Sequence, residues 1–182
     1  MASDTVQYVT VASTGNATDG TDLTESRSSL SACSSGVRGI WAGGISGGGT
    51  NMNTIDFTVI STLSSVDDFG DLTIARDELA AVANSNVGLI AAGHTSTQIN
   101  TVDKINPSSA ADSSDYGDLT SSRSFLAAAG STSRATFAGG WNGSSTENTI
   151  DYGEFATDAD LSDFSDLSVA RQQLGGLSDS IG

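Results

Sequence analysis

The stretch FGDLTIAR, residues 69–76, returns with small changes three more times along the chain. The related phrases are GTDLTESR at 20–27, YGDLTSSR at 116–123 and FSDLSVAR at 164–171. Their final arginines are 49, 47 and 48 residues apart, and they account for four of the seven basic residues. A fixed interval of this length indicates a repeat architecture, in which each repeat forms one small unit of structure.

Other positions keep the same interval as the arginines. One aspartate stands five residues before each arginine, a second stands eight residues before it, and a leucine follows three residues after it. The charged columns are Asp19, Asp22 and Arg27; Asp68, Asp71 and Arg76; Asp115, Asp118 and Arg123; and Asp163, Asp166 and Arg171. The interval predicts a single domain over 1–182, with repeats near 5–53, 54–100, 101–148 and 149–182, the last incomplete.

Each repeat contains short segments with the character of β-strands. GLIAAG (88–93) is an apolar run that ends in glycine, and TIDFTVI (54–60) alternates and is rich in β-branched and aromatic residues. LAAVAN (79–84) is a run of small apolar residues, and DDFGDLT (67–73) reads as an outer strand or turn. The sequence therefore predicts an all-β protein with about four repeats of roughly 48 residues, each built from short antiparallel strands. The glycine-ended strands are predicted to include Ile40 to Ala42, Leu89 to Ala91 and Thr136 to Ala138.

The order of these segments resembles the kelch repeat of β-propellers, including those of the galactose-oxidase type. An arginine precedes a small apolar strand, then an apolar strand ending in Gly-Gly, then a strand such as TIDF (54–57). The resemblance covers nearly the whole chain and implies a β-propeller or partial propeller. The kelch tryptophan before the outer strand is missing, and Phe69, Tyr116 or Phe164 stands near that place. TVASTGNATD (10–19) and FGDLTIAR also resemble kelch-like repeats in structural proteins of marine bacteriophages.

Residues for catalysis are scarce. Copper chemistry of the galactose-oxidase type would need two histidines and a tyrosine linked to cysteine, whereas this chain has one histidine and one cysteine. Cys33 shares its column with Val82, Ala129 and Leu177, which indicates a core position and not a nucleophile. The string GISGG (44–48) matches the nucleophile-elbow spacing around Ser46, but it has the register of a hairpin turn, and no phosphate-loop motif is present. We expect a protein that is not an enzyme and that uses no cofactor.

The arginine columns suggest an electrostatic role. A planar guanidinium matches a carboxylate with two hydrogen bonds, so each arginine is predicted to turn back onto the aspartates five and eight residues before it. Such clusters would join each outer strand to the first strand of the next blade. A ring of arginines that binds anions is the alternative.

Three residues stand out as binding candidates because they vary within an otherwise regular array. His94 and Trp141 share a column with Ile45, directly after the paired small residues that end a strand, and Asn142 follows Trp141. Exposed aromatic rings bind sugars and protein partners. The alternative is that both rings pack between blades.

The acidic loops, above all DADLSD (158–163), contain the oxygen ligands that calcium prefers. Their spacing is not that of an EF-hand, so we expect solvated turns whose aspartates cap backbone groups, and no metal site.

The net charge of the chain excludes two classes of binding partner. The net charge is −15 with a single lysine, Lys104, which excludes the basic surface that nucleic acid or anionic lipid requires. No apolar run is long enough to span a bilayer, and the first residues lack the features of a secretory signal peptide.

These observations favour a non-catalytic structural or interaction module of a phage virion, in a tail, fibre or surface appendage with a possible role in host attachment. Its partners would be other virion proteins or copies of itself, with a host-surface glycan or protein as a further candidate. The alternative is a bacterial kelch-like module that binds carbohydrate or protein, in the cytoplasm or at the cell surface.

The repeat pattern also predicts that the chain does not close on itself. It opens in the third strand of a unit, at TVQY, and stops after the first strand of another. Open strand edges template association. Either further copies of this protein cover these edges, or the 182 residues are part of a longer repeat chain. We therefore expect the protein to sit in an assembly, with contacts near Leu174 to Gly182 and Thr5 to Val11.

Overall fold

The computed structural model describes residues 1–178, and over this range the fold is all-β. No helix in this range is long and apolar enough to cross a membrane. The strands in chain order are β1 (Ser3–Tyr8), β2 (Thr18–Ser28), β3 (Ser31–Ser34), β4 (Arg38–Ala42), β5 (Ile45–Ser46), β6 (Thr54–Val59), β7 (Asp67–Asp71), β8 (Ala80–Ala83), β9 (Gly88–Ala91), β10 (Thr101–Ile105), β11 (Ser114–Asp118), β12 (Ala127–Gly130), β13 (Arg134–Ala138), β14 (Thr149–Glu154) and β15 (Ser162–Asp166).

These strands form antiparallel sheets with a common order. Three sheets have four strands each, in the orders β3-β4-β6-β7, β8-β9-β10-β11 and β12-β13-β14-β15. The first sheet has three strands in the order β1-β2-β5. The predictions of an all-β fold and of strands at 40–42, 89–91 and 136–138 are confirmed by β4, β9 and β13.

Each four-stranded sheet is offset from the sequence repeats. Sheet β3-β4-β6-β7 takes its first two strands from the repeat at 5–53 and its last two from the repeat at 54–100. The other two four-stranded sheets have the same offset. Consecutive repeats are therefore joined inside a sheet by hydrogen bonds, and not only by packing between sheets.

The sheets lie side by side, and the hydrophobic core fills the spaces between them. The first strands of the four-stranded sheets are neighbours, with β3 against β8 and β8 against β12. One apolar cluster lies between the sheets of β4 and β9 and includes Ile40, Phe69 and Ile90. A second lies between the sheets of β9 and β13 and includes Leu89 and Phe137. Strand β9 is buried on both faces because a sheet covers it on each side.

Two glycines in the outer strands allow the close approach of the next sheet. Gly70 in β7 has φ +139°, and a Cβ there would lie 2.5 Å from the backbone carbon of Ala111. Gly117 in β11 has φ +143° and meets Ala159 in the same way. Only glycine adopts this conformation without strain and leaves room for a neighbouring backbone. The glycine of the repeated phrase therefore sets the spacing between outer strand and following loop.

Candidate functional site

The repeated phrase forms a buried cluster of threonine, arginine and aspartate in three of its four copies. In the second copy, the Asp103 carboxylate on β10 accepts hydrogen bonds from the Thr73 backbone N–H at 3.0 Å and the Thr73 hydroxyl at 2.5 Å. Arg76 Nη2 lies 3.2 Å from Asp103 Oδ2 and donates to the Ile90 carbonyl at 3.0 Å. The phrase that ends one sheet is thus fastened to the second and third strands of the next sheet.

The first and third copies repeat this geometry. Asp56 accepts from Thr24 and from Arg27 Nη2 at 2.9 Å, and Asp151 accepts from Thr120 and from Arg123 Nη2 at 2.9 Å. The side chains of all six charged residues in the three ion pairs are fully buried. Burial lowers the pKa of each guanidinium, while the paired aspartate raises it. Removing one partner of such a pair strongly destabilises the fold, because the remaining charge is buried away from solvent and has no counter-charge.

The predicted partners of these arginines were wrong. Arg27, Arg76 and Arg123 do not pair with the aspartates five and eight residues before them, but with the aspartate of the T-[IV]-D segment about 28 residues later. The reason is the direction in which these side chains point. The earlier aspartates lie on β2, β7 and β11, where Asp68 accepts from the Gly70 N–H at 3.1 Å and Asp115 from the Gly117 N–H at 3.2 Å. The arginine instead follows a turn that points it into the interface with the next sheet.

The fourth copy of the phrase has no such cluster within the described residues. Arg171 is exposed, and its Nε donates to the Val169 carbonyl at 3.2 Å. Its preceding aspartates, Asp163 and Asp166, are exposed on β15. The phrase becomes a buried cluster only where another sheet packs against it.

The residues two positions after each arginine adopt the same left-handed backbone conformation. Ser29, Glu78, Phe125 and Gln173 have φ values of 55°, 57°, 57° and 58°. Their backbones are linked in series, because Glu78 N donates to Ser29 O, Phe125 N to Glu78 O and Gln173 N to Phe125 O, each at 2.9 Å. These four residues and the leucines that follow them line a depression of about 200 Å³. Left-handed non-glycine residues are strained, and such strain is concentrated at functional sites.

The turns between the second and third strands of successive sheets lie next to one another on one rim. The Asn51 amide donates to the His94 carbonyl at 2.9 Å, and Gly143 lies against the Gln98 side chain. His94 and Trp141 occupy equivalent bridges, to Asp77 and Ser124 respectively. Both rings are half-buried. The Asn142 side chain accepts from the Ser144 and Ser145 N–H groups, both at 2.8 Å, so its oxygen serves its own turn.

His94 lies in a cluster that the sequence interpretation missed. Asp77, Glu78 and His94 each offer one ligand-type atom, and these atoms all lie within 4.8 Å of one another. His94 Nδ1 is 3.5 Å from Asp77 Oδ1, and the two backbones are hydrogen-bonded in both directions at 3.1 and 2.8 Å. The available signal was the column comparison, because only the repeat of Arg76 has two carboxylates between the arginine and the leucine.

The surroundings of Glu78 disfavour its charge. Burial raises the pKa of the Glu78 carboxyl, the Ser124 hydroxyl lowers it, the Asp77 carboxylate raises it and His94 lowers it. The net direction is upward. A cation placed between Asp77 and Glu78 would relieve both the desolvation and the repulsion.

The remaining candidate residues make contacts that indicate a structural role. Cys33 packs against the cluster of Ile40 and Phe69, and burial raises the pKa of its thiol to about 12. In the acidic loops, Asp112 accepts from the Asp71 N–H at 3.0 Å and Asp160 from the Asp118 N–H at 3.1 Å. These aspartates cap the outer strand of the preceding sheet, which is a longer-range role than the local caps predicted from the sequence.

Comparison of the sequence with protein-family models gives no match. Comparison with curated proteins gives none either.

Proposed function

We propose that the chain is a non-catalytic interaction module, a kelch-like β-propeller or partial propeller that belongs to a phage virion as part of a tail, fibre or surface appendage. The support for the propeller is the series of side-by-side antiparallel sheets whose first strands are neighbours. The support for the virion is the resemblance of the repeats to those of phage structural proteins, together with an acidic surface that has a single lysine.

The observation that carries the interaction role is the contrast between a uniform frame and a varied rim. The three buried clusters repeat the same residues and nearly the same distances. The neighbouring turns differ, with Ile45, His94 and Trp141 at equivalent positions. A rigid frame that holds dissimilar surface turns in fixed positions is the arrangement used by binding scaffolds.

Copies of the same chain are the partner that the exposed apolar surface supports best. Phe69 and Tyr116 on the outer strands are each 3% exposed because the next sheet covers them, whereas the equivalent Phe164 on β15 is 55% exposed. At the other end of the array, Val9 and Val11 are exposed. Strand β15 keeps the aromatic residue of the two other outer strands, but Ser165 stands where they have Gly70 and Gly117, so a partner cannot approach β15 as closely as the sheets within the chain approach each other. Residues 179–182 of the predicted contact region lie outside the described part of the chain.

The alternative function is a bacterial module that binds carbohydrate or protein through the rim. Half-buried Trp141 supports it, because an aromatic ring beside a turn offers a face for stacking. Binding to a glycan array that is lost in Trp141→Ala, and kept in the exposed control variant Ile74→Ala, would favour this alternative.

Mass spectrometry of purified virions tests the proposal. We expect peptides of this chain in gradient-purified particles of the phage that encodes it, at a constant ratio to the capsid protein. Genes for portal or tail proteins beside its own gene are a second expectation. Peptides found only in the lysate, or a linked glycoside hydrolase gene, would contradict the virion role.

A further inference from the structure

One repeat contains a set of side chains that its neighbours lack. Asp77, Glu78 and His94 stand where the preceding repeat has Ser28, Ser29 and Ile45, and where the next repeat has Ser124, Phe125 and Trp141. His94 is the single histidine of the 182 residues. Because the backbone frame is shared, these three substitutions change the chemistry of one position without changing its geometry. The difference marks a site and not a requirement of the fold.

The side chain of Asp77 provides an independent observation. It is only 7% exposed, and its Oδ1 has no hydrogen-bond partner among the described residues. Leaving a buried carboxylate oxygen unpaired is costly, and the polar groups of protein interiors are normally satisfied. The oxygen faces His94 Nδ1 at 3.5 Å, which is too long for a hydrogen bond of normal strength.

The separations agree with the edge of a coordination tetrahedron. Zinc binds nitrogen and carboxylate oxygen at about 2.0–2.2 Å, so two ligands of one tetrahedral ion are about 3.4 Å apart. The Asp77–His94 separation of 3.5 Å meets this value. Every other pair in the cluster lies within 4.8 Å, a distance that rotation of the Glu78 side chain can shorten.

We propose that Asp77, Glu78 and His94 bind a divalent transition-metal ion of the zinc type. Asp77 Oδ1 and His94 Nδ1 are the fixed ligands, because the strand bridge between their backbones holds them together. Glu78 closes the site from the wall of the depression, with its carboxylate oxygen within 4.8 Å of the ligand atoms of the other two residues.

The ligand set selects the ion. An imidazole with two carboxylates suits zinc, cobalt or nickel, whereas calcium needs six to eight oxygen ligands and magnesium retains its water. Three protein ligands leave a zinc ion with an open fourth position. That position would accept water or a carboxylate from a partner.

Calorimetric titration of the EDTA-treated full chain with zinc chloride near neutral pH is the direct test. We expect one zinc ion per chain, no displacement by excess calcium, and an affinity about tenfold or more lower in His94→Ala and Glu78→Gln. His94 is 35% exposed in its side chain, so its replacement leaves the fold intact even if Asp77→Asn does not fold. Cobalt should give the visible absorption of a tetrahedral complex with the wild-type chain and not with His94→Ala.

The matched control is Asp163→Asn, which removes the same charge from an exposed strand. We expect this variant to bind zinc as the wild type does. Absence of stoichiometric zinc uptake, unchanged uptake in His94→Ala, displacement by calcium, or equal weakening in Asp163→Asn would each overturn the proposal. The last result would mean that zinc binds to the net charge of −15 and not to the cluster.

Discussion

Replacing Arg76 by alanine should destabilise the protein by about 3 kcal/mol, the low end of the range for breaking a buried ion pair. The change leaves the Asp103 carboxylate fully buried without its guanidinium, but with its hydrogen bonds from the Thr73 N–H and hydroxyl. These two bonds are the reason for choosing the low end. For a chain of this size the loss corresponds to a fall in Tm of about 6 °C or more.

Arg171→Ala is the matched control, because it removes the same side chain from the same phrase where it is exposed. An exposed substitution should change the free energy of unfolding by no more than about 0.5 kcal/mol. Urea unfolding followed by circular dichroism measures both variants. If Arg76→Ala is no less stable than Arg171→Ala, the buried clusters do not hold the sheets together.

A double substitution separates charge from packing. Arg76 leaves its Nε and Nη1 groups buried without hydrogen-bond partners among the described residues, so the native pair is itself incompletely satisfied. Arg76→Met combined with Asp103→Leu fills the same space without charge, and such replacements are often neutral or stabilising. We expect the double variant to recover part of the stability that Arg76→Ala loses, because Asp103→Leu also removes the acceptor of the Thr73 N–H and hydroxyl. A double variant as unstable as Arg76→Ala would show that the buried charge is not the source of the loss.

Three further predictions concern other parts of the array. Gly70→Ala should destabilise strongly in thermal melts, because φ +139° and the Ala111 backbone both exclude a Cβ, whereas Gly15→Ala, with no atom within 4 Å of its Cβ, should change little. The Cys33 thiol, with its pKa raised to about 12 from 9.0, should react slowly with iodoacetamide until the chain unfolds. As pH rises from 9.0 toward 12, the unfolded chain loses the thiol proton before the folded chain does, so the free energy of unfolding should fall. Over the same pH range, the free energy of unfolding of Cys33→Ala should fall less than that of the wild type. Light scattering should show self-association at micromolar concentration that weakens in Phe164→Ser, and a wild-type monomer would contradict the β15 contact.

The sequence was sufficient for the strands at 40–42, 89–91 and 136–138, because glycine-ended apolar runs are local signals. It did not identify the arginine partners. Asp56, Asp103 and Asp151 were visible as a column, but their pairing with Arg27, Arg76 and Arg123 depends on which sheet packs against which. The spacing of residues along the chain does not show which side chains about 28 positions apart come into contact.

The candidate site was only half visible in the sequence. His94 was distinguished as a variable residue in a regular column, whereas Asp77 and Glu78 looked like ordinary charged residues after an arginine. Their significance depends on burial and on a bridge between residues 17 positions apart, neither of which a linear pattern contains. Trp141 and Asn142, grouped with His94 by position, lie in the next turn, and the Asn142 oxygen is engaged by its own loop.

The offset between sequence repeats and sheets has a mechanical consequence. Pulling out the repeat at 54–100 would remove two strands from each of two sheets and leave both with unpaired inner edges. Under a tensile load the repeats therefore cannot unfold one at a time, as the domains of a chain of independently folded domains do. Rupture should begin at an end of the array and spread inward, with each step exposing the strands whose loss weakens the next.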